Sequence, residues 1–292
     1  MTTPNAASIH ARLLSLARQR REDFNLVLTR FALERFLYRL SQLPERHTFL
    51  LKGALLFELW FDTPHRPTRE ADLLGLGDRS VQSLERVIYA ACAVDTADGM
   101  TFDPTTARIE EIREASRYHG LRVRLVGKLG SARITVQLDI GFGDAVTPGP
   151  VEASLPSLLP DLPPVELRTY PRATVIAEKL EIIVSFGMAN TRLKDYFDLY
   201  VLAAENTLDP TEIASAIAAT FRRRATPLPP TTPLGLTAEY STVSERTTQW
   251  EAFLTKNGLE APSLAAIVEK IYACVGEPLG MARRMLDEQE GP

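Results

Sequence analysis

The sequence predicts an α+β protein of two lobes, in which a small mixed β-sheet with flanking helices precedes a helical C-terminal lobe. The strongest β signal lies at residues 120–140, where apolar and polar side chains alternate on both sides of a glycine-containing turn, as in a hairpin with one buried face. Residues 146–171 contain seven prolines, which neither donate to a β-ladder nor fit mid-helix. Beyond them, apolar residues recur at helical spacing.

Composition excludes several classes of protein. The 292 residues are 45% hydrophobic and 24% charged, which is globular usage and excludes a wholly disordered chain. A net charge of −4 argues against non-specific coating of nucleic acid, but it leaves room for an enzyme that acts on one end of it. Two distant cysteines and four scattered histidines argue against a disulfide framework or a zinc site. Without a signal-like or membrane-spanning segment, we expect a cytoplasmic protein with no membrane partner.

The sheet lobe is predicted element by element from its periodicities. Leucines at helical spacing indicate two N-terminal helices, and short apolar runs indicate strands. A later helix is indicated by apolar residues that recur at helical spacing and so share one side. The expected order is two helices within 9–43, a strand at Thr48–Leu51, a Lys52-Gly53 turn, a helix at Ala54–Phe61, a strand at Glu70–Leu76, a helix at 80–94 and the hairpin. We divide this lobe into an N-terminal helical arm (1–46) and a core (47–147).

The proline-rich stretch 148–171 is expected to connect the core to a helical lobe at 172–292. Within that lobe the expected helices are 172–187, 194–205, 210–223, 243–257 and 262–275. Gly276-Glu277-Pro278 is expected to end the last of them, with a short helix beyond, because Gly and Pro are the weakest helix formers.

The Lys52-Gly53 turn between a strand and a helix is a possible phosphate site. Glycine lets the backbone approach a ligand closely, and a helix N-terminus offers free N–H groups to an anion. Glycine at such a turn is common in proteins, however, so a purely structural turn is the better interpretation of this feature in isolation.

Two acids follow on a predicted strand. Glu70 and Asp72 are two residues apart and therefore share one face, whereas Ala71 and Leu73 face the core. Adjacent carboxylates repel unless a cation lies between them, and Mg²⁺ prefers such oxygen ligands. A solvated strand face is an equally good interpretation of the pair alone.

Asp139 lies on the polar face of the second hairpin strand, although Asp is depleted in strands. A cap at the strand end, before Gly141 and Gly143, is the structural alternative. If the hairpin lies beside the Glu70–Asp72 strand, three carboxylates meet, and such a triad can hold two divalent ions about 3.5–4 Å apart.

The order of these features resembles that of the DNA polymerase β-type nucleotidyltransferases, in which a glycine turn precedes an acid-x-acid strand and a later third acid. More narrowly, the segments LKGALLFELW, RPTREADLLG, VQLDIGFGD, AEKLEIIV and TRLKDYFDLY resemble the AbiEii/AbiGii toxin family, the toxin halves of type IV toxin–antitoxin and phage-defence pairs. The resemblance covers roughly residues 45–205, and the later helices match only in being helical.

This resemblance implies a nucleotidyltransferase core and a helical lobe that closes a cleft. It implies transfer of NMP from an NTP, with Mg²⁺ or Mn²⁺, to an RNA acceptor such as the 3′ end of tRNA, which would arrest translation until a cognate antitoxin intervenes. The residues then assigned to catalysis are Glu70, Asp72, Asp139 and Asp195, of which the first three bind metal. Those assigned to the nucleotide are Lys52, Gly53, Ala54, Arg69, Lys179 and Lys194.

The helical-lobe residues owe these roles to the resemblance alone. From the residues, Lys179 is expected to pack its stem on apolar neighbours with its head in water, and Asp195 to cap a helix. Asp198 is expected to be structural, paired with Lys194 or Arg192. The resemblance instead implies that Lys179 and the Lys194-Asp195 motif face the cleft and are required for activity.

Two departures from the family pattern leave alternatives open. Glu70 stands where the family mostly has Asp, and Ala54 replaces the usual second Gly or Ser, which removes a hydroxyl contact but not the backbone N–H. Transfer to a protein or small-molecule hydroxyl is one alternative. A catalytically weak module that binds nucleotides or a partner is the other.

The net charge is unevenly distributed along the chain. Residues 1–46 carry eight arginines and four acids, so that arm has a charge of +4 and the remaining residues −8. Nucleic acid is therefore expected to contact the arm and the cleft rather than the whole surface.

Overall fold

The computed structural model describes residues 6–61, 66–113, 119–205 and 208–289. The chain divides into two compact units. The first comprises the chain up to Gly143 together with Val151–Thr169, and the second comprises Asp144–Pro150 together with the chain from Tyr170 onward.

The first unit is built on one seven-stranded mixed sheet, which confirms the predicted α+β core. Its strands are β1 (Phe49–Lys52), β2 (Ala71–Gly75), β3 (Met100–Arg113), β4 (His119–Leu129), β5 (Ala132–Phe142), β6 (Val151–Leu155) and β7 (Val165–Thr169). Their order across the sheet is β3-β4-β5-β2-β1-β7-β6. The pairs β2–β5 and β1–β7 are parallel, and the other neighbours are antiparallel.

Four helices accompany the sheet in the described part of this unit: α1 (Ala6–Arg20), α2 (Phe24–Ser41), α3 (Leu56–Trp60) and α4 (Val81–Ala93). Side-chain caps begin two of them, since Asp23 accepts from the Leu26 amide and Ser80 from the Ser83 amide. Both predicted N-terminal helices and the helix at 80–94 are thus confirmed.

The proline-rich stretch contains more structure than expected. It contributes β6 and β7, which pair with each other, and β7 extends the sheet from β1. The prolines flank these strands or lie between them, where no ladder donor is lost. The strand β3 was also not predicted, because Pro104 and a register shift between Asp103 and Arg108 interrupt its alternation.

The second unit is helical in its described residues. Its helices are α5 (Arg172–Phe186), α6 (Leu193–Ala203), α7 (Pro210–Arg224), α8 (Ala238–Ser241), α9 (Ser244–Asn257) and α10 (Leu264–Gln289). No helix in the described ranges is both long and apolar enough to cross a membrane.

The expected break at Gly276-Glu277-Pro278 is wrong, because α10 continues through Pro278. Its apolar face continues through this region, with Ile271, Val275, Leu279 and Ala282 all buried. Burying this continuous face offsets the intrinsic cost of a mid-helix proline, which is about 3 kcal/mol.

Residues 144–150 are attached to the helical unit by polar contacts. The Arg224 guanidinium at the end of α7 lies 3.2 Å from Asp144, and it also pairs with Glu178 and Glu181 of α5. The Thr147 backbone N–H donates to the Thr174 hydroxyl, and that hydroxyl donates to the Thr147 carbonyl oxygen. These contacts explain why a segment between two strands of the sheet belongs to the helical unit.

Candidate active site

The structure brings the three predicted carboxylates together. The parallel pairing of β2 and β5 places Asp72 directly opposite Asp139, and Glu70 immediately precedes β2. One carboxylate oxygen from each residue lies within 4.8 Å of the others, and all three residues are half-buried. The hairpin therefore lies beside the acid-x-acid strand, which is the condition on which the predicted triad depended. The alternative of a simple strand-end cap for Asp139 does not describe this geometry.

Cations lie on both sides of the acids in the same row of the sheet. Lys52 of β1 is the register partner of Asp72, and Arg122 of β4 is the register partner of Asp139. The Arg122 guanidinium donates to both Asp139 oxygens, with Nε–Oδ1 2.8 Å and Nη2–Oδ2 2.5 Å. A bidentate contact of this kind fixes the plane of the carboxylate as well as offsetting its charge.

Lys52 extends across the sheet from β1. Its Nζ lies 3.8 Å from the position that a Cβ on Gly141 of β5 would take. This separation corresponds to ordinary van der Waals contact. The Lys52 ammonium group therefore reaches past β2 to β5 and lies beside the acidic cluster.

Gly53 is the tightest point of the site. Its φ of +73° lies in the left-handed region that favours glycine, and a Cβ there would stand 2.7 Å from Asp72 Cγ. The turn therefore places backbone against the Asp72 carboxylate at a distance that only glycine permits.

The helix expected at Ala54–Phe61 is shorter than predicted. A 3-10 turn at Gly53–Leu55 comes first, with Gly53 at a positive φ that no regular helix adopts, and α3 follows at Leu56–Trp60. Barely more than one turn of helix aligns few peptide dipoles, so the predicted anion site at a helix N-terminus loses most of its electrostatic basis. Ala54 is buried in this turn, and Arg69 is exposed just before the acid strand.

Replacing Gly53 by alanine is expected to lower both stability and nucleotide transfer. The left-handed backbone costs about 1–2 kcal/mol for an L-residue, and the new methyl group displaces the Asp72 carboxylate. Urea unfolding and a transfer assay measure the two effects. Gly130→Ala is the matched control, because φ is also positive there (+60°) but the nearest atom to the added Cβ is at 3.7 Å, in Ala6. Equal loss of transfer in both variants would contradict the assignment.

In the helical unit, the predicted motif forms a buried ion cluster. Lys179 Nζ of α5 lies 2.9 Å from Asp195 Oδ1 and 2.6 Å from Asp198 Oδ2 of α6, and Arg192 Nε donates to Asp195 Oδ2 at 2.8 Å. The sequence pattern alone predicted that the Lys179 head group lies in water. This expectation is wrong, because the ammonium group is paired with the two buried aspartates. Asp195 pairs with cations instead of capping the helix, and Asp198 pairs with Lys179. The amphipathic pattern of α5 shows that Lys179 lies on its apolar side. It does not show that the carboxylates of α6 pair with this lysine.

The charges of this cluster govern the pKa of Asp195. Burial by itself raises the pKa of a carboxyl group, but the Lys179 and Arg192 charges outweigh it and hold the pKa of Asp195 below its ordinary value. Asp195 is 2% exposed and Lys179 8%, whereas Lys194 is exposed in the first turn of α6.

Arg122 and Gln137 are site residues that the sequence analysis missed. Both are polar residues of the alternating stretch 120–140, which by itself indicates only that they lie on the polar face of the hairpin. The register around the turn at residues 130–131 could have identified them, because residues equally distant from the turn face each other across an antiparallel pair. That count pairs Arg122 with Asp139 and Arg124 with Gln137.

A glycine turn against an acid-x-acid strand, with a third acid on the parallel neighbour, is the arrangement that the motifs predicted for a nucleotidyltransferase. The chain belongs to the AbiEii family, since the model of that family, described as the nucleotidyl transferase AbiEii toxin of type IV toxin–antitoxin systems, matches residues 35–270. The match extends beyond the roughly 45–205 covered by the motifs and includes most of the helical unit.

Two solved structures from Helicobacter pylori are similar to this chain. One is JHP933, with 14% sequence identity, a TM-score of 0.48 and coverage of 87% of this chain and 92% of that one. The other is a candidate nucleotidyltransferase, with 16% identity, a TM-score of 0.46 and coverage of 89% and 96%. A comparison with curated proteins gives no match.

Proposed function

We propose that this protein transfers NMP from an NTP to a hydroxyl group of RNA, at the 3′ end of tRNA, with release of pyrophosphate as the bond between the α- and β-phosphates breaks, and thereby blocks translation until a cognate antitoxin neutralises it. The observation that carries the proposal is the convergence of Glu70, Asp72 and Asp139 within 4.8 Å. Membership of a type IV toxin family supports the antitoxin and the nucleotide substrate.

The three acids fit a divalent cation. They offer only carboxylate oxygens, which Mg²⁺ and Mn²⁺ prefer, and their mutual repulsion calls for a positive charge among them. We assign metal binding to these three residues. A bound ion of this kind supplies charge stabilisation at the triphosphate and favours deprotonation of an attacking hydroxyl.

The chain's own groups would position the nucleotide. Lys52 and the backbone N–H groups at Gly53 and Ala54 are adjacent to the acids and are assigned to phosphate oxygens. Arg69, exposed before β2, is assigned to the same charges. Bringing the acceptor hydroxyl in line with the α-phosphorus replaces a bimolecular encounter, which is the main source of rate in phosphoryl transfer.

The proton of the acceptor hydroxyl is assigned to Asp139. Asp195 is a poorer proton acceptor than Asp139, because it is buried between two cations, Lys179 and Arg192, which hold its pKa below the ordinary value, whereas Asp139 is half-buried and contacts one cation, Arg122. We therefore give Asp195 the role of fixing Lys179. The assignment of Lys179 and Lys194 to nucleotide binding stays a prediction from the family resemblance.

The RNA acceptor is proposed from the family and from charge. Within the basic arm, Arg18, Arg20 and Arg21 are exposed at the end of α1. Such residues contact a phosphate backbone without reading its sequence. A tRNA acceptor agrees with action in the cytoplasm.

Incubation of the purified protein with each labelled NTP, Mg²⁺ and total tRNA tests the proposal. We expect label on RNA with at least one NTP, and none after chelation of the metal. Label on protein or on a small molecule would show that the acceptor is not RNA and would support transfer to a protein or small-molecule hydroxyl. NTP binding with no transfer, in Mg²⁺ or Mn²⁺, would identify a binding module instead of an enzyme.

A further inference from the structure

Gln137 of β5 joins two of the three acids. It lies on the polar face of the strand, two residues before Asp139, and is half-buried. Its Nε2 is 2.7 Å from Glu70 Oε2 and 3.3 Å from Asp139 Oδ1. A single amide group therefore donates towards both carboxylates.

The orientation of this amide is fixed from the other side. Arg124 Nε of β4 lies 3.0 Å from Gln137 Oε1. A guanidinium carries only donors, so the atom that faces it must be the acceptor oxygen, and the NH₂ group is left to face the acids. Arg124 is in turn 3.4 Å from Glu110 of β3. A directed chain of polar contacts thus runs across the three strands β3, β4 and β5 and ends at Glu70, just before β2.

Strand pairing constrains Glu70 less than it constrains the other two acids. Glu70 precedes β2, outside the paired ladder, and its side chain has one more rotatable bond than aspartate. Asp139 is already held by the bidentate Arg122 contact, and Asp72 lies within the strand against Gly53. The Gln137 amide therefore restricts the position of the Glu70 carboxylate, as pairing within β2 restricts the position of Asp72.

We propose that Gln137, with its amide oriented by Arg124, is a positioning residue that holds the carboxylates of Glu70 and Asp139 in the arrangement that binds a divalent cation. It acts through the metal ligands and not on the substrate. The proposal rests on the assignment of the metal to the three acids. It also explains how a chain with Glu at this position keeps a compact site.

Mn²⁺ binding to the full-length protein, followed by electron paramagnetic resonance, tests this role without relying on turnover. Gln137→Leu removes the donor and keeps a side chain of similar size. We expect its Mn²⁺ dissociation constant to rise about tenfold or more, the usual effect of removing an outer-shell partner. Thr135→Val is the matched control, because Thr135 is exposed two residues earlier on the same face. It is expected to bind Mn²⁺ as the wild type does, and Arg124→Leu is expected to weaken binding in the same direction as Gln137→Leu.

A double-mutant cycle with Glu70→Asp identifies the partner. The shortened acid no longer reaches the Gln137 amide, so Gln137→Leu is expected to change Mn²⁺ affinity much less in that background than in the wild type. Equal factors in both backgrounds, or unchanged affinity in both Gln137→Leu and Arg124→Leu, would overturn the proposal. Failure of the wild type to bind Mn²⁺ would instead contradict the proposed function. Arg124→Leu also keeps the test decisive should Gln137→Leu fail to fold, since it leaves Gln137 in place.

Discussion

Asp72→Asn is expected to abolish nucleotide transfer and leave the fold intact. The substitution keeps the size of the side chain against Gly53 but removes a charged oxygen from the three-acid cluster. Loss of a metal ligand at such a centre should lower the rate by at least about 10³-fold, equivalent to about 4 kcal/mol of transition-state stabilisation. Removing one of three like charges relieves repulsion within the cluster but also weakens attraction to Lys52, the register partner of Asp72, so we expect the thermal unfolding midpoint without metal to change little.

Transfer of label to RNA and the melting midpoint measure the two halves of this prediction. Glu111→Gln is the matched control, because Glu111 is an exposed acid of β3 in the same sheet and is not part of the triad. It should retain transfer. If the wild type arrests growth on expression, Asp72→Asn should not, and undiminished arrest by this variant would exclude the metal mechanism.

Asp139→Asn should behave differently from Asp72→Asn. Asp139 accepts two hydrogen bonds from Arg122, so an amide there loses a charge-assisted bidentate contact as well as a metal ligand. Its loss of transfer should therefore come with a lower melting midpoint. The contrast between the two variants separates the catalytic role from the structural one.

The triad could be predicted because it depends on local periodicity. The alternation of residues 120–140 puts Asp139 on the polar face, and the two-residue spacing puts Glu70 and Asp72 on one side. Whether these strands are neighbours is a property of topology, which alternation does not encode. The family resemblance supplied it, and the β2–β5 pairing confirms it.

The elements that escaped prediction depend on distant contacts. β7 is a strand because β1 offers it a partner, and prolines on either side hid that pairing. α10 passes Pro278 because the buried face on both sides of the proline outweighs the local cost. Lys179 is a charged head that two acids on another helix remove from water, and no periodicity within its own helix indicates this.

Lys179→Met is expected to have the largest effect on stability. Methionine keeps the length of the stem but leaves the nearly buried Asp195 and Asp198 without their shared cation. Removing one partner of a buried ion pair costs about 3–5 kcal/mol, because the remaining charge is desolvated. Arg192 still pairs with Asp195, so we expect a loss near the lower end of this range. Urea unfolding followed by the circular dichroism of the helices measures the loss.

The difference in free energy of unfolding between Lys179→Met and the wild type is expected to depend on pH. In the wild type, the pKa of Asp195 lies below its ordinary value, so its contribution to stability is present at neutral pH and is lost only as pH falls through that lowered pKa. In Lys179→Met, burial without the lysine raises the carboxyl pKa values, so protonation on going from about pH 7 to pH 5 relieves part of the penalty. The gap between variant and wild type should therefore narrow as pH falls, and a constant gap would contradict the charge explanation.

Two further variants separate charge from packing. Lys194→Met changes an exposed lysine of the same motif and should alter the free energy of unfolding by no more than about 0.5 kcal/mol. Lys179→Met combined with Asp195→Asn and Asp198→Asn removes the whole buried ion cluster apart from Arg192, and should recover much of the loss because no unpaired buried carboxylate remains. If the combined variant were no more stable than Lys179→Met alone, the lost packing of the lysine stem, and not its charge, would account for the effect.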